Sequence, residues 1–97
     1  MKKVLLSEAA DVDLEDIFDY TFEEFGLYQA VSYVSGFDEV FETISENPEI
    51  GRKRTEIRTE LRSLAKDKHV IFYRVLNNHV RIVRILHGSR DFPKFLD

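Results

Sequence analysis

The period of the apolar residues changes once along this chain, at Asn47-Pro48, and that change divides it into a helical first half and a stranded second half. Before it, Ala10, Leu14, Ile17, Phe18, Thr21 and Phe25 recur every three or four residues. After a break at Gly26 the same period resumes in Ala30, Tyr33, Val34, Phe37, Val40, Phe41 and Ile44. Each stripe describes an amphipathic helix, and so short a break predicts an antiparallel helical hairpin. Ser7 supplies a hydroxyl N-cap, and Glu8 and Asp11 put negative charge in the first turn, where the helix dipole favours it. Ahead of them, Val4-Leu5-Leu6 reads as a short strand.

Beyond Pro48 the helical period is gone. Residues 49–60 are polar, basic and aperiodic, and read as a loop. Leu61 to Lys66 reads as a strand, and His69 to Leu76 alternates β-branched with aromatic residues. Asn77-Asn78 is a tight turn into a last strand from Val80 to Leu86. The expected domain, over residues 1–97, is α+β with the order β-α-α-β-β-β. A helical hairpin packs on a small, mostly antiparallel sheet, and a short C-terminal tail follows. Strands apolar on both faces need cover on both, and the hairpin covers only one. Counting by twos puts Val70, Phe72 and Arg74 on the other face, joined by Ile82 and Arg84 from the next strand. That face is expected to be open and to await a partner.

Charge divides at nearly the same point. Residues 1–51 carry 13 carboxylates against Lys2 and Lys3, for −11, whereas residues 52–97 carry 12 Lys and Arg against five carboxylates, for +7. The net −4 hides this polarity, and the basic half is the one suited to an anionic surface. Direct DNA binding is disfavoured, because a duplex would repel the acidic helices. A hydrophobic fraction of 43%, with eight Phe and four Tyr, suffices for a packed interior. The chain has no cysteine, which removes disulfide and thiolate chemistry. The apolar run after Lys3 stops at Ser7, well short of the roughly seven residues a signal-peptide core needs. No stretch approaches the length of a membrane span, so the chain is expected to be soluble and cytoplasmic. His69, His79 and His87 lack metal-ligand spacing, and Gly26, Gly36, Gly51 and Gly88 form no phosphate loop. No metal and no cofactor are expected.

Five short words add a resemblance. They are Leu6-Ser7-Glu8-Ala9-Ala10 with Asp13-Leu14 and Ile17; Glu46-Asn47-Pro48-Glu49-Ile50-Gly51-Arg52; Leu61-Arg62-Ser63; Val70-Ile71-Phe72-Tyr73-Arg74-Val75; and Val83-Arg84-Ile85-Leu86-His87-Gly88-Ser89-Arg90-Asp91. In this order, from Val4 to about Leu96, they resemble the ParE-type toxins of bacterial type II toxin–antitoxin modules, within the RelE/ParE superfamily. The resemblance implies a RelE/ParE-like fold, inhibition of DNA gyrase by protein–protein binding, and a role in plasmid stabilisation. It also implies neutralisation by a ParD-like antitoxin whose flexible C-terminal segment wraps the toxin. Val70, Phe72 and Ile82 are then the expected antitoxin contacts, with the outer stripe of the hairpin as a second candidate surface. Arg62, Arg74, Arg84, His87 and Arg90 are the expected target contacts. For the arginines the competing role is to brace the acidic helices, and for His87 it is a hydrogen-bonded turn before Gly88.

RelE-like relatives instead cut mRNA on the ribosome, which gives the alternative function of ribosome-dependent endoribonuclease. This chain departs from their pattern. Val70 and Ile71 stand where a catalytic arginine would precede Tyr73, and the tail Asp91-Phe92-Pro93-Lys94-Phe95-Leu96-Asp97 has no tyrosine. His87 and Arg90 are what remains for acid–base and cationic roles at a cleaved phosphate.

Overall fold

The computed structural model describes residues 1–96. In chain order the elements are β1 (Lys3–Leu6), α1 (Glu8–Phe25), α2 (Leu27–Glu46), β2 (Arg52–Lys53), β3 (Arg62–Lys66), β4 (His69–Val75), β5 (His79–His87) and α3 (Phe92–Phe95). The strands form one sheet in the order β1-β5-β4-β3-β2. β1 lies parallel to β5 at one edge, and every other pairing is antiparallel. The α+β class and the hairpin on a mostly antiparallel sheet are as the sequence predicts. Two elements are additions. The loop after Pro48 contains the two-residue edge strand β2, and the tail contains the helical turn α3.

Local chemistry sets the hairpin. The Ser7 hydroxyl accepts the Ala10 amide at 3.0 Å and donates to the Val83 carbonyl at 2.8 Å, so the residue that caps α1 also ties it to β5. Gly26 alone separates the two helices. Its φ of 90° lies where a side chain is strained, and its carbonyl accepts the first α2 bond, from the Ala30 amide at 3.1 Å. α2 stops at Asn47, ahead of Pro48.

The hairpin buries Ala10, Ile17, Phe37 and Ile44 against Ile71, Tyr73, Val80, Ile82 and Ile85 of the sheet. Phe25, expected in the inward stripe, is 66% exposed instead. Residues 22–29 are all exposed, so the hairpin tip extends past the core and the stripe has nothing to pack on there. Midway along α2, Gly36 makes room for a side chain. A Cβ there would sit 2.7 Å from Lys66 Cε, and the Lys66 ammonium lies 4.5 Å from the Tyr33 ring centre and 5.1 Å from that of Phe37. Tyr73, fully buried, holds the loop after α2 by donating to the Pro48 carbonyl and accepting the Gly51 amide, both at 2.8 Å.

The far face of the sheet is not open. Leu61, Phe72, Leu86 and Leu96 form a second buried cluster, with Ile57, Val70, Val83, Phe92 and Phe95 packed around it. The residue 57–61 segment and α3 are thus the cover that the hairpin cannot supply. Phe72 has no exposed surface and meets the Phe92 ring edge-on at 4.9 Å. Nor do the three expected antitoxin contacts share a face. Pairing runs Phe72↔Arg84 but Tyr73↔Ile82, so Val83 is an extra residue in β5, a β-bulge. Counting by twos fails across it: Ile82 turns toward the hairpin core, while Val70 and Phe72 belong to the opposite cluster.

Candidate functional site

The bulge at Val83 also arranges the basic residues. Arg84 pairs with Phe72 and Arg81 with Arg74, so these three arginines share the face away from the hairpin although Arg81 and Arg84 are three positions apart. Arg84 is a brace. Its Nε and Nη2 contact the two Asp13 oxygens at 2.8 and 2.9 Å, and its Nη1 donates to the Phe95 carbonyl at 3.3 Å. Asp13 raises the Arg84 pKa above the usual arginine value, chiefly through these hydrogen bonds. Arg74 is half-buried, has its nearest carboxylate, Glu60, at 3.9 Å, and keeps a buried Nε without a hydrogen-bond partner.

Arg62 lies on the hairpin side and donates to the Glu49 and Gly51 carbonyls at 3.1 and 2.9 Å, holding the same loop as Tyr73. Arg90 is exposed, with its guanidinium carbon 5.1 Å from the Phe95 ring centre. Of the four arginines expected to meet a target, Arg90 is the most available, Arg74 is partly so, and Arg62 and Arg84 hold the fold together.

His87 is exposed at the end of β5. Its Nδ1 accepts the Ser89 amide at 3.1 Å and lies 2.8 Å from the Ser89 hydroxyl, which makes it a turn histidine. Its ring stacks edge-on against His69, directly across the sheet, at 5.4 Å. His69 Nδ1 in turn lies 2.7 Å from the Tyr33 hydroxyl. Burial lowers the His69 pKa, and His87 and Lys66 lower it further. Burial also raises the Tyr33 pKa, against the Lys68 backbone amide. Sequence reading missed this Tyr33–His69–His87 row because the bulge shifts the register by one, pairing His69 with His87 instead of Leu86. His87 and Arg90 do not converge: one stacks on the helix side of the sheet, the other on Phe95 of the opposite cluster. Among the described residues, no group of three or more His, Cys, Asp or Glu is arranged to hold a metal ion.

Exposed apolar residues gather at the hairpin tip. Phe25, Leu27 and Tyr28 are 66%, 59% and 86% exposed, with Phe22 and Val31 beside them and Asp19, Glu23 and Glu24 around the rim. No helix among the described residues is long and apolar enough to cross a membrane.

Among the described residues, a helical hairpin packs against a sheet whose one parallel pair joins the first and last strands, which defines a small α+β domain. Residues 4–92 match the family described as the ParE toxin of the type II toxin–antitoxin system, parDE. The chain is 37% identical over 95 residues to Toxin ParE1 of Mycobacterium tuberculosis, covering 97% of both chains. It is 38% identical over 91 residues to Toxin ParE1 of Caulobacter vibrioides, covering 94% of each. Among solved structures, the chromosomal ParDE TA system from P. aeruginosa superposes with a TM-score of 0.79 at 21% identity, over 90% of this chain and 96% of that one. The chain belongs to the ParE toxin family. It is a ParE-type toxin of a type II toxin–antitoxin system.

Proposed function

We propose that this toxin acts in the cytoplasm by binding DNA gyrase, without chemistry of its own, and that a ParD-like antitoxin neutralises it. The observation that supports this reading is the divergence of His87 and Arg90. With the His87 ring held by Ser89 and stacked on His69, and the Arg90 side chain lying on Phe95, the two are not directed at one phosphodiester. The residues before Tyr73 add no cation: Val70 packs into one apolar cluster and Ile71 into the other. The remaining features suit a contact surface, with Arg90 and Arg74 as its cationic part.

For the antitoxin, the exposed hairpin tip is the surface of choice, since Phe72 and Ile82 have no accessible area. An amphipathic helix with basic flanks matches Phe25, Leu27 and Tyr28 within their acidic rim. Expression of the chain in bacteria without antitoxin is the test. Filamentation with DNA-damage signalling, relieved by a co-expressed ParD-like protein, is the expected outcome. Arrest of translation with intact chromosomes would instead support the RelE-like ribosome-dependent endoribonuclease.

A further inference from the structure

A cavity of about 550 Å³ opens beside the β1–α1 junction, lined by Arg58, Arg81 and Arg84 together with Glu8, Val83 and Phe95. We infer that this cavity is a carboxylate-binding site that receives a glutamate or aspartate side chain from an acidic segment of a protein partner. The inference stands whether or not the target is gyrase.

Two of the three guanidinium groups are already positioned. Arg58 donates to the Leu96 carbonyl at 3.2 Å, and Arg84 is fixed by Asp13 and the Phe95 carbonyl. Arg81 is exposed and, among the described residues, has neither a hydrogen-bond nor an ion-pair partner. It is also paired directly across the sheet with Arg74, and like charges in that position repel. Arg74 gains little relief from Glu60 at 3.9 Å, and its buried Nε is unpartnered. Among the described residues no carboxylate is ion-paired with Arg81, and the local surplus of positive charge is a cost that Glu8 in the same lining offsets only in part. A ligand carboxylate beside Arg81 offsets that cost, and the planar fork of a guanidinium matches it in shape and charge.

The surroundings select a protein ligand over a nucleic acid. Glu8 sits in the lining, and Asp11, Glu15 and Asp16 follow it on α1. A phosphate backbone would carry several charges past these acids, whereas one side chain brings a single charge to the arginines. Val83, Phe95 and Leu96 supply apolar wall for the residues on either side of that charge.

The test is fluorescence anisotropy with the purified full chain and three labelled probes: a short peptide alternating glutamate and leucine, its glutamine counterpart, and a single-stranded RNA of equal charge. Saturable binding of the glutamate peptide alone is expected. Arg81→Gln and Arg58→Gln should each weaken it at least tenfold, whereas Arg52→Gln with Lys53→Gln should leave it within twofold. Arg81 is exposed, so its variant should keep the wild-type circular dichroism and melting profile. The proposal is overturned by no saturable binding, by equal binding of the glutamine peptide, by an Arg81→Gln variant that binds normally, or by tighter binding of the RNA.

Discussion

Arg84 and Asp13 join the two oppositely charged halves of the chain by a two-pronged ion pair spanning 71 positions, with contacts of 2.8 and 2.9 Å. Asp13 Oδ2 also accepts the Ile85 backbone amide at 2.9 Å, so one carboxylate satisfies a guanidinium and a strand donor together. Asp13→Ala strands both groups in a mostly buried place. Urea unfolding should show a loss of about 2–4 kcal/mol, in the range for breaking one side of such a pair. The double variant Asp13→Leu with Arg84→Met should recover part of it, because no lone charge remains.

Phe72 gives a second stability prediction, and it reverses the sequence expectation. As an open-face residue Phe72 would tolerate an acidic replacement and lose only affinity for its partner. Fully buried against Phe92, Leu61, Leu86 and Leu96, it is core. Phe72→Ala should cost about 3–5 kcal/mol in denaturant unfolding. Phe72→Asp should leave no cooperative folding transition.

What the sequence made legible and what it hid follow from one distinction. Helix boundaries were readable because Ser7, Gly26 and Asn47 each act within a few residues of the backbone they cap. The far face was misread because its cover comes from distant, weakly patterned segments: Ile57, Phe92, Phe95 and Leu96 carry no period. The bulge was the other loss. Arg81 and Arg84 are odd and even along β5, and only the extra residue Val83 puts them on one face. Of the candidate site residues, His87 was legible as a turn histidine, whereas the locking of Arg62 to two loop carbonyls was not, since those partners precede it by 11 and 13 positions.

Stability should depend on pH through His69. Its pKa in the fold is lowered from 6.5, mainly by burial and then by His87 and Lys66. The unfolded chain therefore takes up the proton first as pH falls. The His69 contribution is complete above about pH 6.5 and is lost as pH drops toward the folded value. Urea midpoints measured from pH 7.5 to pH 5 should fall in that interval. His69→Asn should flatten this part of the profile; an unchanged slope would mean other groups govern it.

The hairpin tip should carry antitoxin affinity without carrying stability. Phe25 and Tyr28 are 66% and 86% exposed, so replacing either by Ala removes little buried area. Calorimetric titration with the ParD-like partner should show each variant weakened about tenfold or more, as for an exposed aromatic anchor, with melting temperature within a degree or two of wild type. Affinity unchanged in the double variant would move the antitoxin elsewhere on the toxin.

Binding of gyrase without cleavage of RNA is the proposed action of this ParE-type toxin. One paired assay addresses it directly: the purified chain is added to gyrase supercoiling relaxed plasmid, and in parallel to ribosomes translating a defined mRNA. The expected result is inhibited supercoiling or accumulated cleaved DNA–gyrase complex, with the mRNA intact. Arg90→Ala should shift the inhibition curve to higher toxin concentration without lowering its plateau. Codon-phased mRNA cleavage that His87→Ala or Arg90→Ala abolishes, with supercoiling unaffected, would contradict the account.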